Sequence, residues 1–192
     1  ASAAALLFVS GQTLAQKPNP VSPLEIRLPA LPDNWHVQGN IRVDDRTGKP
    51  AALYQQYYRT TAATPEEQAR QYLTANSSLL GLTNDDIRNL RLHAVRTDAA
   101  GTVVRLRQTW QGLPVNKNAE ITIHITPERV VDFVQNGFQY GITLADVAPA
   151  LTPEAAKQRI AGHLGISGST EHESVTLMVL RHGERDYLVY LV

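Results

Sequence analysis

The sequence predicts an α+β protein in which two small modules follow one another, each built from a helix and an antiparallel sheet. Two observations support this prediction. Residues 102–131 alternate between apolar and polar side chains with the period of two that is typical of half-buried strands. The tripeptide Thr-Pro-Glu opens a run of helical spacing at Thr64 and again at Thr152, and strand-like segments follow both runs.

The composition limits the size and the class of the protein. A chain of 192 residues, 43% of them hydrophobic, can hold one ordinary domain or two small ones. Its 18 basic residues balance 18 acidic ones, which disfavours a protein built mainly to grip nucleic acid. The chain has no cysteine, which excludes disulfides and thiolate metal sites.

Residues 1–36 are predicted to lie outside the folded modules. An apolar run over residues 3–9, followed by small residues at Thr13 and Ala15, indicates residues 1–15 as the remnant of a signal peptide cleaved after Ala15. The alternative is a disordered Ala-rich tail. Residues 16–36 are predicted to be a linker, because their prolines suit neither a helix nor a central strand.

The first module is predicted to begin with a β-hairpin over residues 37–62, with strands at Trp35–Val43 and Ala51–Arg59. Tyr54, Tyr57 and Tyr58 are dense there, which favours a packed sheet face over an aromatic surface for a partner. A helix follows, in which Thr64 caps, Pro65 takes the first position and Glu67 completes a capping box. Its apolar positions are Ala69, Tyr72, Leu73 and Leu80, and it is predicted to end at Gly81 or to break at residues 76–78.

Four further strands complete this module in the prediction. Residues 90–95 alternate as a strand, and Asp85 and Asp86 before them are interpreted as caps or solvated corners. In the strand that begins at residue 102, one face is predicted to carry Val104, Leu106, Gln108 and Trp110. The next strand is predicted to point Ile121, Ile123 and Ile125 inward and Glu120, Thr122 and His124 outward. A turn then leads to a strand over Val130–Gln135.

Residues 107–115 read Arg-Gln-Thr-Trp-Gln-Gly-Leu-Pro-Val, and an Ile-rich strand, a turn and Val-Val-Asp-Phe follow. This stretch of sequence resembles the FTP module, a propeptide module of secreted zinc peptidases of the fungalysin and thermolysin type. The resemblance implies a cystatin-like FTP domain over residues 63–138. The residues that match its hallmark, in structural or interface roles, are Gln108, Trp110, Gln111, Gly112, Leu113, Pro114 and Val115. We expect Trp110 to bury its ring under the turn and Gly112 to adopt a backbone angle that other residues resist.

After a linker over residues 139–150, residues 151–192 are predicted to form the second module. Its helix is capped by Thr152 and ends at Gly165, with Ala156, Ile160 and Leu164 along one face. A polar loop over residues 166–173 and apolar strands at Val175–Leu180 and Tyr187–Val192 follow. The opening Leu-Thr-Pro-Glu-Ala-Ala and the closing Leu-Val-Tyr-Leu-Val resemble a PepSY domain. Because the chain stops inside an apolar strand, we expect this domain to be truncated and the chain to be the front piece of a longer precursor.

The sequence indicates no catalytic, cofactor-binding or metal-binding residue. The zinc motif His-Glu-x-x-His is absent, and no two histidines stand four residues apart on a predicted helix. Glu171, His172 and Glu173 form the densest ligand-like cluster and are interpreted as a solvated loop. Gly165-Ile-Ser-Gly-Ser falls short of a nucleophile elbow, because its last residue is Ser and a helix precedes it.

Two functions are compatible with these observations. The first is a propeptide region that acts as intramolecular chaperone and inhibitor of a downstream catalytic domain, its partner in cis. The resemblance implies that this precursor is a secreted zinc metalloendopeptidase, with zinc only in the downstream domain. It implies no nucleic-acid partner, and no membrane in the mature form. The alternative is a free-standing secreted binding or inhibitor module without a peptidase domain.

Overall fold

The structure is a computed structural model, and it describes residues 41–44, 46–116, 118–165, 174–183 and 185–192. The predicted signal-peptide remnant (1–15), the linker (16–36), residues 37–40 of the hairpin and the loop at 166–173 lie outside the described residues. The described part is α+β, with a mostly antiparallel sheet and four helices among its elements, and the predicted fold class is confirmed.

A seven-stranded sheet forms the larger part of the fold. Its strands run in the order β1-β2-β7-β6-β4-β3, with the short β5 attached to β4, and neighbouring strands are antiparallel. The strands are β1 Ile41–Asp44, β2 Lys49–Arg59, β3 Leu90–Asp98, β4 Gly101–Trp110, β5 Leu113–Pro114, β6 Glu120–Ile125 and β7 Val130–Asn136. The meander of β4, β6 and β7 confirms the predicted central strands.

Three helices follow β2: α1 Pro65–Ala75, α2 Ser77–Leu80 and α3 Asn84–Arg88. The capping box at Thr64 and Glu67 is present as predicted, with Thr64 Oγ1 accepting from the Glu67 N–H at 3.3 Å. Both predicted ends occur, because α1 stops at Asn76 and α2 ends at Gly81 in the left-handed region. The prediction missed α3, although Asp86 does cap it together with Thr83.

The core lies between these helices and one face of the sheet. Its fully buried side chains include Leu53, Tyr72, Leu73, Leu80, Leu106, Ile121, Ile123 and Val134. Tyr58 packs edge-on against Tyr72, with 5.4 Å between the ring centroids, whereas Tyr54 and Tyr57 are exposed. The predicted alternation of β4 and β6 is therefore confirmed for the apolar face. On the other face Glu120 was expected outward in solvent, but it is buried beneath two arginines.

A helix and a hairpin make up the last part of the chain: α4 Pro153–Leu164, β8 Thr176–His182 and β9 Arg185–Leu191. Thr152 caps α4 as predicted, and Gly165 ends it with a φ of 67°. Of the predicted apolar face only Ala156 is buried, and Ile160 and Leu164 are exposed. Along the described residues, no helix has both the length and the apolar character needed to cross a membrane.

Candidate functional site

The motif segment, residues 108–115, reverses direction through two consecutive left-handed residues. Gln111 has a φ of 47° and Gly112 a φ of 84°, so β5 folds back and pairs Leu113 with Trp110. Positive φ at both loop positions is the geometry of a tight hairpin turn. A Cβ at Gly112 would meet no atom within 4 Å, so the demand for glycine is conformational and not steric. The sequence indicated the angle at Gly112 but not the one at Gln111.

Gln108 is buried and fastens the segment that follows β7. Its Nε2 donates to the Gln139 carbonyl at 2.9 Å, and its Oε1 accepts from the Gln139 N–H at 2.8 Å. One amide side chain therefore satisfies both backbone groups of one residue. This pairing fixes the start of the connector, residues 139–150, against the end of β4.

Trp110 and Gln111 hold the same connector farther along. Trp110 Nε1 donates to the Leu144 carbonyl at 2.9 Å, and Gln111 Nε2 lies 3.5 Å from the Ala145 carbonyl. The half-buried indole packs on a small apolar cluster that consists of Val115, Ala119, Ile142 and Val179, with Leu113 and Leu144 at its margin. The ring thus contacts the connector and the hairpin of the last module as well as its own turn.

The end of the motif segment joins β8. Val115 is fully buried and forms a parallel bridge with Val179, and the Asn116 N–H donates to the Val179 carbonyl at 2.9 Å. The side chain of Asn116 accepts from the Arg181 N–H at 2.8 Å through Oδ1. Pro114 lies in β5, opposite Thr109 of β4. The motif segment therefore links the large sheet to the β8–β9 hairpin.

A buried ion pair, the arginine clamp, completes this junction. Arg181 donates from Nε and Nη2 to the two carboxylate oxygens of Asp186 at 2.8 and 2.7 Å. The same guanidinium donates to the carbonyls of Tyr140 and Gly141, and Asp186 also accepts from the Thr143 N–H at 2.8 Å. The Asp186 side chain is only 2% exposed. The hydrogen bonds from Arg181 hold the pKa of Asp186 below its ordinary value, against the opposing effect of burial.

Asn116, Arg181 and Asp186 were not predicted from the sequence to be part of this junction. Arg181 lies 65 residues beyond Asn116, and its position was predicted only to lie between two apolar strands. A spacing pattern could not have found the contact, because it depends on how the β8–β9 hairpin packs against the motif segment. The Gly183 turn was the one local signal, since it places Arg181 and Asp186 opposite each other.

The chemistry of this arrangement is that of a binding junction. Its polar groups are amides and the Arg181–Asp186 pair, in which both charges are already neutralised. Among the described residues, no group of three His, Asp or Glu side chains is placed to bind a metal ion. Beside the junction, α4 and the hairpin enclose a groove of about 490 Å³. Apolar side chains predominate in its lining, among them Ile160, Leu177, Leu188 and Val189.

Comparison with known proteins agrees with the resemblance seen in the motif segment. Residues 88–138 match the family model of the Fungalysin/Thermolysin Propeptide Motif (FTP). Among solved structures, the Bacillus megaterium YpeB C-terminal domain aligns with 79% of this chain and 70% of its own, at 11% identity and a TM-score of 0.42, too low to establish a shared fold. No curated protein matches. This chain therefore carries the fungalysin/thermolysin propeptide motif, over residues 88–138.

Proposed function

We propose that this chain is the pro-region of a secreted zinc metallopeptidase of the fungalysin and thermolysin type. In this role it assists the folding of the catalytic domain of the same precursor and inhibits it until maturation. The observation that supports the proposal most directly is the match of residues 88–138 to the propeptide motif. The remaining part of the proposal, that residues 151–192 are a PepSY-like domain, rests on the helix and hairpin found there.

The last module offers a surface for such a partner. Ile160 and Leu164, one helical turn apart on α4, are large apolar side chains that stay exposed. Such a surface can bury area against a catalytic domain. A protein that binds the folded state better than the unfolded state stabilises the folded state by mass action. The same contact excludes substrate when it covers the cleft.

The connector supplies a place where maturation can end the inhibition. Its first part is held by Gln108, Trp110 and the arginine clamp, but residues 146–150 have no regular secondary structure and are mostly exposed. Exposed segments without structure are the preferred sites of proteolysis. Once the chain is cut from the catalytic domain, its effective concentration at the cleft falls, and a further cut in residues 146–150 would then divide the released chain and end the inhibition.

The test is to titrate the purified mature peptidase of the same precursor with the 192-residue chain. We expect a dose-dependent loss of activity and a higher yield when the denatured peptidase refolds in its presence. Intact-mass analysis establishes that the chain is not degraded during the assay. Leu164→Glu should weaken inhibition by at least about tenfold, the effect of losing roughly 1.4 kcal/mol of binding free energy. The matched control Tyr57→Ser, at an exposed site on the large sheet, should leave it unchanged.

The free-standing module remains the second candidate, because the motif covers residues 88–138 and not a catalytic domain. If the chain shows no inhibition and no refolding assistance at concentrations well above micromolar, the pro-region role is disproved and this alternative is favoured.

A further inference from the structure

The sheet ends in an open edge at β3. This strand pairs with β4 on one side, and no other described strand pairs with its second side. Its register is regular from Ala94 to Asp98, after an irregularity between Leu92 and Ala94. Leu92 and Val95 are 44% and 43% exposed although they stand on the face that is apolar in β4. The edge therefore offers unpaired backbone groups beside uncovered apolar side chains.

The outer face beside this edge carries excess positive charge. Arg91 and Arg96 lie on β3, and the register places Arg107 opposite Arg91 and Arg105 opposite Ala94. One carboxylate, that of Glu120, lies 2.6 Å from Arg105 Nη2 and 2.5 Å from Arg107 Nη2. Within the described residues, Arg91 and Arg96 have no ion-pair partner, so this face has four arginines against the buried Glu120 and the exposed Asp98 at the end of β3.

Two neighbouring titratable residues, His93 and Asp98, do not neutralise Arg91 or Arg96. His93 Nδ1 lies 2.6 Å from the same Glu120 oxygen that Arg107 contacts, so the carboxylate is fully occupied. The charge of Arg107 and Arg105 holds the pKa of Glu120 below its ordinary value, although burial alone would raise it. Asp98 accepts from the Ala100 N–H at 2.9 Å in the turn at the far end of β3.

The charges decide which strand can pair with this edge. In a symmetric antiparallel pair of two copies with Leu92 opposite Val95, Arg91 would face Arg96 of the other copy twice. Like charges in directly opposed positions destabilise a pair of strands. Charged side chains and an irregular register are also the means by which sheet proteins protect their edges. The arginines therefore act against a second copy in this register and favour a strand with acidic side chains.

We propose that the edge of β3 is a binding site for an extended acidic segment of a partner protein, which adds to the sheet as a further strand. Its backbone pairs with the regular stretch of β3, its acidic side chains face Arg91 and Arg96, and its apolar side chains cover Val95. Backbone pairing provides affinity in this mode of recognition, and the side chains provide specificity. The proposal does not depend on the pro-region function and would stand without it.

The test uses the 192-residue chain and a fluorescein-labelled nine-residue peptide of alternating Val and Glu, followed by fluorescence anisotropy. We expect saturable binding that weakens several-fold when sodium chloride rises from about 50 to 300 mM, because salt screens exposed charges. A peptide with Lys in place of Glu should not bind. A peptide N-methylated at every second residue should also fail, since it cannot form the strand ladder.

Arg96→Glu should weaken binding of the Glu peptide by at least tenfold. Its matched control is Arg42→Glu, the same exchange at an exposed arginine of β1, the opposite edge of the sheet; it should change binding less than twofold. Equal binding of the Glu and Lys peptides, or no saturation up to about 1 mM, a Kd that corresponds to only about 4 kcal/mol, would overturn the proposal. Dimerisation of the chain alone in sedimentation, abolished by Val95→Glu at the middle of the edge, would overturn it in favour of a second copy.

Discussion

The arginine clamp gives the sharpest test of how the last module is attached. Asp186→Asn keeps the size of the side chain and an oxygen for the Thr143 N–H, but it removes the negative charge that faces Arg181. Arg181 is then left as an uncompensated cation with a side chain only 20% exposed. We expect the variant to destabilise the hairpin and connector while the large sheet stays folded.

The structure sets the magnitude. Removing one partner of a buried ion pair typically costs about 3–5 kcal/mol of unfolding free energy. Arg181 retains the carbonyls of Tyr140 and Gly141 as acceptors and keeps some contact with solvent, so we expect a loss near the lower limit, about 3 kcal/mol. Asp85→Asn is the matched control, because both side chains of its ion pair with Arg88 are more than two-thirds exposed. It should cost no more than about 0.5–1 kcal/mol.

The loss should depend on pH in a definite direction. Because the pKa of Asp186 is lower in the folded state, its charge stabilises the fold above the unfolded pKa of about 4. That stability disappears as the pH falls through the folded pKa. The difference between wild type and Asp186→Asn should therefore be largest at neutral pH and should shrink below about pH 4.

Urea titration followed by tyrosine and tryptophan fluorescence measures the stability, and hydrogen exchange of the β8 and β9 amides locates the loss. Arg181→Met and the double variant Arg181→Met/Asp186→Asn complete a mutant cycle, in which the double variant should lose less than the sum of the single variants. A loss below about 1 kcal/mol for Asp186→Asn, as for an exposed pair, would refute the argument that this pair couples connector and hairpin. So would a loss that does not change between pH 7 and pH 3.

Two further predictions concern the motif segment and metal binding. Gly112→Val should lower the unfolding free energy by about 1–3 kcal/mol because a β-branched residue is strained at positive φ, whereas Gly112→Asn should cost less; an unchanged melting midpoint for the valine variant would show that the angle is not required. The chain should show no tight one-to-one zinc uptake in calorimetry at neutral pH, because its histidines lack the spacing of a zinc site; stoichiometric binding would contradict that interpretation.

Local features could be predicted from the sequence. The capping box at Thr64, the break near Asn76 and the alternation of β4 and β6 each depend on residues within a few positions of one another. The five-residue helix α3 escaped prediction because it is too short to show a helical period. Its cap residue Asp86 was nevertheless interpreted correctly.

Features set by distant neighbours could not be predicted. Glu120 belongs to the outward face by its position in β6, and only the two arginines on β4 turn that position into a buried one. The exposure of Leu92 likewise follows from the place of β3 at the end of the sheet order. At the junction, the sequence indicated the motif residues but not the atoms they bind, since those atoms lie about 30–65 residues farther along.

The partners of the motif segment share one property: the side chains of Gln108, Trp110 and Gln111 all bond to main-chain atoms of residues 139–145. Main-chain hydrogen-bonding groups are the same for every amino acid except proline, which lacks the N–H, so exchanging other side chains in this stretch removes none of these hydrogen bonds. Inserting one residue, however, would shift each later carbonyl by about 3.3 Å along an extended chain, more than a hydrogen bond can follow. These hydrogen bonds therefore depend on the number of residues in the connector and not on its side chains.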